Sequence, residues 1–233
     1  MKPISLLSRL VDLIAPSQCP VCGQRLLITD DTLCGRCNLH LPRTGFFHSP
    51  QDNEMARLLW GRIPVERCAA LFRFERQSQT ARAIYDLKYH DHPELGEALG
   101  SIAAREALGH DFFAGIDLLV PIPLTRRRQR QRGYNQCELI ARGISRETGI
   151  KLCTAAVRRT TFHGSQTQKS WWERQENVEG VFHLRTAKPV TGKHLLLVDD
   201  IMTTGATVTA CARELLKAGD VRISVLTLGF LQG

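Results

Sequence analysis

The sequence predicts an α/β fold: a doubly wound parallel sheet preceded by a small metal-binding module. Two observations carry this. Over residues 75–233 short apolar runs alternate with segments of helical periodicity, the pattern of repeated strand–helix units that build a parallel sheet. Ahead of them, four cysteines form two C-x2-C pairs, Cys19/Cys22 and Cys34/Cys37, separated by eleven residues. At 233 residues, 43% of them apolar, the chain has room for one domain of ordinary size and a small appendage.

The elements follow in order. Leu6, Leu7, Leu10, Leu13 and Ile14 recur at helical spacing, so the first segment reads as an amphipathic helix packed on the body. Arg9 and Asp12 interrupt it, which excludes a signal-peptide core, and no run reaches the length of a membrane span. The expectation is a cytoplasmic protein. In that reducing setting the two cysteine pairs are expected to hold one structural Zn²⁺ through Cys19, Cys22, Cys34 and Cys37, leaving no open position for catalysis. Such a metal contributes on the order of 10 kcal/mol to a segment too short to bury a core. Cys68, Cys137, Cys153 and Cys211 fall in apolar patterns and read as buried hydrophobes.

Residues 1–48 are thus the N-terminal helix and zinc knuckle. Residues 49–74 are a connector carrying a short helix near 54–61 and a strand over 68–74. The body is 75–233. Within it, helices are expected over 80–89 and 95–108, and a strand over 118–123 that ends at prolines unable to donate to a ladder. A helix follows over 135–148, then strands near 152–158 and 181–184. A strand–loop–helix unit runs from 195 to 218, and the last strand spans 223–228.

That unit is the most specific stretch of the chain. Leu195–Val198 reads as a buried parallel strand delivering Asp199 and Asp200 to its carboxyl end, where open α/β sheets form their ligand crevice. Thr203, Thr204, Gly205, Ala206 and Thr207 then lead into a helix N-terminus. Free backbone N–H groups and the helix dipole there favour phosphate, and the threonines add hydroxyl donors. Carboxylates cannot face that phosphate, so they would accept hydrogen bonds from sugar hydroxyls. Donors for a phosphate beside acceptors for a diol describe a ribose 5-phosphate site. The stretch resembles the phosphoribosyl-pyrophosphate (PRPP) motif of type I phosphoribosyltransferases.

The net charge of +8 and the pI near 9.3 suit anionic partners, either phosphorylated small molecules or nucleic acid. Part of that charge is a run of five arginines over 126–132, leaving the strand that ends at Pro123. It is read as a loop on the crevice side, with Arg126 and Arg127 placed to neutralise a leaving pyrophosphate and later arginines available to nucleic acid. A long polar segment, 158–178, falls between two strands. Its place matches the mobile hood loop of type I transferases.

Taken together, the four-cysteine knuckle, Leu87-Lys88-Tyr89, the 120–124 and 132–136 segments, the polar series over 158–177 and the PRPP motif occur in the order of the ComF, or GntX-like, family. The chain resembles those competence-associated, phosphoribosyltransferase-like proteins over nearly its whole length. The resemblance implies a type I phosphoribosyltransferase fold, PRPP with Mg²⁺ as ligand, and a role in using or taking up external DNA. It also implies partners among single-stranded DNA or DNA-processing proteins. Asp199, Asp200 and Arg174 become the catalytic candidates, with Lys88 and Arg174 toward the pyrophosphate. Few residues follow the last strand, so the acceptor site is expected from the N-terminal module or a partner. Turnover of PRPP and a non-catalytic, PRPP-responsive adaptor both fit.

Overall fold

In the computed structural model the chain is described over residues 18, 19, 22–26, 33–75, 78, 84, 85, 87, 88, 93–160 and 180–231. The expected N-terminal helix and most of the hood segment lie outside these residues. The described elements are α1 (Gly35–His40), a 3₁₀ turn (Phe46–His48), α2 (Glu54–Leu59), β1 (Cys68–Arg73), α3 (Pro93–Leu108), β2 (Leu118–Pro121), α4 (Arg126–Arg132) and α5 (Gln136–Thr148). They continue with β3 (Lys151–Leu152), β4 (Val157–Arg159), β5 (Phe182–Leu184), β6 (His194–Met202), α6 (Ala206–Leu216) and β7 (Arg222–Phe230).

Five strands form one sheet in the order β1-β7-β6-β2-β3, and every pairing is parallel. β6 is the centre. Its register runs Leu118↔Leu195 to Pro121↔Val198 on one side and His194↔Arg222 to Met202↔Phe230 on the other. Leu195, Leu196, Leu197 and Val198 are fully buried, as a strand covered on both faces requires. Chain direction through the sheet reverses at β6 and β2: β2 leads by α5 to β3, and β6 leads by α6 to β7. Right-handed crossovers running opposite ways put α5 and α6 on opposite faces. The crevice at that reversal is where a doubly wound sheet binds ligand.

β1 joins this sheet through Cys68↔Val225 to Arg73↔Phe230, so the strand expected in the connector is the sheet's outer member. Its free edge is covered by the chain leaving the cysteine module. Arg73 N–H donates to the Pro42 carbonyl at 2.7 Å, Thr44 N–H to Leu71 at 3.4 Å, and Arg43 bridges Phe72 antiparallel. Arg43 also ties the module to the body, its guanidinium reaching Glu106 of α3 at 2.7 Å and Asn38 of α1 at 2.8 Å. An unpaired edge invites association, and this strap removes it.

Two expectations are corrected. The segment 152–158 is not one strand. β3 ends at Leu152 in the main sheet, and β4 begins at Val157 and pairs antiparallel with β5. The arginine run is not a loop but α4. Thr125 caps it by accepting from Arg128 N–H at 3.3 Å, and Gly133 ends it. Arginine is a good helix former, and the cap and terminator lay in the sequence on either side of it.

α3 and α5 touch backbone to backbone. A Cβ on Gly100 would stand 2.1 Å from the Ile140 carbonyl oxygen, and one on Gly143 2.0 Å from that of Glu97. We expect Gly100→Ala and Gly143→Ala each to destabilise the fold by about 1–3 kcal/mol, read as a lower urea midpoint, because backbone cannot move aside as a side chain would.

Candidate functional site

The carboxylates of Asp199 and Asp200 lie at the carboxyl end of β6, buried beside the N-terminus of α5. β6 extends through them to Met202, so they belong to the strand itself. Asp200 forms an ion pair with Lys88 Nζ at 3.0 Å and accepts from Gln136 Nε2 at 2.8 Å. Asp199 accepts from the Cys137 thiol at 3.3 Å and from Asp200 N–H at 2.9 Å. Gln136 and Cys137 are the first residues of α5, whose positive end faces the pair.

The segment 132–136 assembles this. Arg132 donates to Gln136 Oε1, which aims the amide N–H₂ at Asp200. Tyr134 Oη donates to the Leu87 carbonyl at 2.7 Å and so fixes the backbone that carries Lys88. Asn135 caps α5 by accepting from Cys137 N–H at 3.1 Å, while its Nδ2 donates to the Ile122 carbonyl after β2 at 3.1 Å. One five-residue segment thus joins the ends of β2 and β6, α5 and the lysine.

Electrostatics follow from burial. Burial and then the charge of Asp200 push the Asp199 carboxyl up to about 7, against the opposing hydrogen bonds from Asp200 N–H and Cys137. Burial alone would lower the Lys88 ammonium, but Asp200 beside it reverses that and holds it above its ordinary value. Burial, then Asp199, hold the Cys137 thiol well above its ordinary range, so it is a protonated donor and not a thiolate. From the sequence alone Cys137 reads as a plain buried hydrophobe. Only its place beside the Asn-Gln cap of α5 hinted otherwise.

The loop after β6 turns at Gly205, in the left-handed region at φ 75°, and this glycine is the N-cap of α6. Gly205 offers no side chain to cap the helix, and the first N–H, that of Ala206, reaches Thr204 Oγ1 only at 3.4 Å. Thr203 and Thr204 are exposed, Ala206 and Thr207 half-buried. Arg126 and Arg127 lie exposed on α4, away from the carboxylates in any contact described. Arg128 is nearer in effect: its charge, after burial, lowers the guanidinium of Arg159, which stands 5.1 Å over the Phe182 ring and feels Asp199. Arg174 and the Trp171-Trp172 pair fall outside the described residues.

The four cysteines of the N-terminal module converge as expected. Their sulfurs all lie within 4.8 Å of one another, with Cys22 and Cys34 at 3.7 Å. Four sulfurs at about 2.3 Å from a tetrahedral Zn²⁺ stand about 3.8 Å apart, so the donor set fits the ion. All are free thiols. Each knuckle has its own turn: Gly23 N–H donates to the Cys19 carbonyl at 2.7 Å, and Cys37 N–H to Cys34 Sγ at 3.4 Å. Burial raises the Cys34 and Cys37 thiols, so holding them as thiolates requires a compensating cation.

The chain is 32% identical to the DNA utilization protein YhgH of Escherichia coli over 213 residues, covering 90% of this chain and 88% of that protein. The chain belongs to this family of DNA utilization and competence proteins. Family members also include competence protein F of Haemophilus influenzae, 29% identical over 163 residues, 70% of this chain and 66% of that one. Competence protein ComFC of Bacillus subtilis is 34% identical over 102 residues, covering 44% and 39%. Residues 134–228 match the phosphoribosyl transferase domain family, from the α5 cap through β6 and α6 to β7. Among solved structures, the allosteric regulatory enzyme of purine biosynthesis superposes with a TM-score of 0.41 at 19% identity, covering 60% of this chain and 29% of that one.

Two outcomes are expected here. Cys22→Ser or Cys37→Ser should lower bound zinc from one equivalent toward none by elemental analysis, with thermal unfolding shifted down. For Asp199 the sign is set by its raised carboxyl. The folded state holds its proton to higher pH than the unfolded chain, so this group's contribution to stability is full below about pH 4 and lost as pH rises through 7. Asp199→Asn removes that loss, so its stability relative to the parent should be more favourable at pH 8 than at pH 5 in urea titrations.

Proposed function

We propose that the end of β6 is a PRPP pocket, and that the protein serves in the utilisation or uptake of external DNA. The reading is carried by one juxtaposition: two buried carboxylates end the strand whose loop leads into a glycine-capped helix N-terminus at the reversal point of the sheet. In this reading Asp199 and Asp200 accept from the two ribose hydroxyls, displacing Cys137 and Gln136 as partners. The Thr203–Thr207 loop receives the 5-phosphate through its N–H and hydroxyl donors. Lys88, released from Asp200 or shared with it, stands where it can balance the pyrophosphate. Arg128 and Arg159 supply further positive charge, with Arg126, Arg127 and Arg174 as additional candidates.

Mg²⁺ takes oxygen ligands and keeps its waters, so it would enter with the diphosphate and supply charge neutralisation of the leaving group. The protein's own part is to hold the sugar and exclude water from C1. Binding should tighten as pH rises through 7, because the diol needs Asp199 as a charged acceptor.

A second reading, a PRPP-responsive adaptor without turnover, is favoured by α4. It presents Arg126, Arg127, Arg128 and Arg130 to solvent in a single short helix, a surface suited to nucleic-acid phosphates.

Calorimetric titration with PRPP and Mg²⁺ tests the pocket. We expect saturable one-site binding and its loss in Asp200→Asn; no heat of binding in the parent protein would overturn the proposal. Release of pyrophosphate with candidate acceptors, nucleic acid included, then separates the readings. Release above the acceptor-free rate supports the transferase, and tight binding without release supports the adaptor.

A further inference from the structure

The phosphate loop is held from outside the transferase domain match. Leu59, the last residue of α2, packs on the turn: a Cβ on Gly205 would lie 3.0 Å from its Cδ2. Three residues on, Arg62 Nη1 donates to the Thr204 carbonyl at 2.6 Å. The Arg62 carbonyl in turn accepts from Arg213 Nη2 of α6 at 3.4 Å. The connector that supplies these contacts is itself anchored to the sheet. Arg73 of β1 forks onto Glu54 of α2 at 2.8 and 3.1 Å, and Asn53 Nδ2 donates to the Cys68 carbonyl at 2.8 Å.

We propose that Arg62 is a positioning residue of the phosphate loop, holding the Thr204 carbonyl toward the connector so that the Gly205 N–H is turned into the loop. The argument rests on the ribose-phosphate reading above. In a trans peptide the C=O and the following N–H point opposite ways, so fixing one fixes the other. A carbonyl aimed at a phosphate repels it; an N–H binds it. Gly205, left-handed at φ 75° and ψ 2°, is followed by the right-handed turn of α6, and successive N–H groups in such a pair line an anion-binding concavity. The bond from Arg62 selects that peptide orientation. Thr204 is exposed and glycine tolerates both orientations, so without that bond nothing described fixes how the Thr204–Gly205 peptide turns. Arg62 lies between α2 and Ile63 in a segment no transferase motif covers, so motif reading passes over it.

The test is calorimetry on the full chain with ribose 5-phosphate and, separately, inorganic pyrophosphate. Arg62 is exposed, so its replacement spares the core. Arg62→Ala should weaken ribose 5-phosphate about tenfold, about 1.4 kcal/mol, and leave pyrophosphate unchanged. Arg62→Gln keeps an N–H donor without the charge and should stay within about threefold of the parent. Parent-like binding of ribose 5-phosphate by Arg62→Ala would overturn the proposal. So would an Arg62→Gln loss as large as that of Arg62→Ala, which would make the residue a direct charge contact. Weakening of both ligands together would likewise overturn it, as a general structural defect. If the parent itself ignores ribose 5-phosphate, the site reading beneath it fails instead.

Discussion

Two adjacent carboxylates at the buried end of a central strand are the constraint around which the rest of this structure is arranged. A carboxylate taken from water is costly, and a second one beside it adds repulsion. The fold meets the cost locally. Lys88 and Gln136 satisfy Asp200, the Cys137 thiol and a backbone N–H satisfy Asp199, and the first turn of α5 brings its positive end to both. Each compensating group depends on another: Gln136 is aimed by Arg132, and the lysine's backbone is held by Tyr134. The helix that delivers Gln136 and Cys137 sits as close as it does because Gly100 and Gly143 let α3 and α5 meet at their backbones. Packing remote from the crevice therefore decides whether the carboxylates are tolerable at all.

Much of this was legible in the sequence. Leu195–Val198 has no reading but a buried strand, and a carboxylate pair followed by Thr-Thr-Gly-Ala-Thr identifies the crevice it enters. The cysteine spacing alone foretold the convergence of four sulfurs. What the sequence withheld was partnership. Cys137 lies in an apolar helical stripe and looks like any buried thiol, because the position of Asp199 opposite it is set by the crossover and not by spacing. In the arginine run the charge overshadows Thr125 and Gly133, the ordinary cap and terminator of a helix. Arg62 carried no signal, its partner lying 142 positions away in the chain.

The four-cysteine module and the crevice at the end of β6 are linked by ordinary covalent and packing continuity. From α1 the chain runs along β1 as a strap, turns through Phe46, which packs edge-on against Phe230 of β7 at 5.6 Å, enters α2 and reaches the crevice at Leu59 and Arg62. The module is thus joined to the sheet at its outer edge and to the site at its mouth.

The strap over β1 bears on how such a protein can be divided. A parallel sheet whose outermost strand is sealed by residues 42–44 has no clean cut on its amino-terminal side. Excision at residue 75, where the alternating strand–helix pattern starts, discards β1 and leaves β7 as a long, apolar margin. Excision at 49 keeps β1 but strips its cover. Either fragment would present unsatisfied main-chain groups along an apolar strand, the geometry on which misassembly grows. The cysteine module is in this sense the selvedge of the sheet, and recombination between related genes would preserve a working protein only by exchanging the two together.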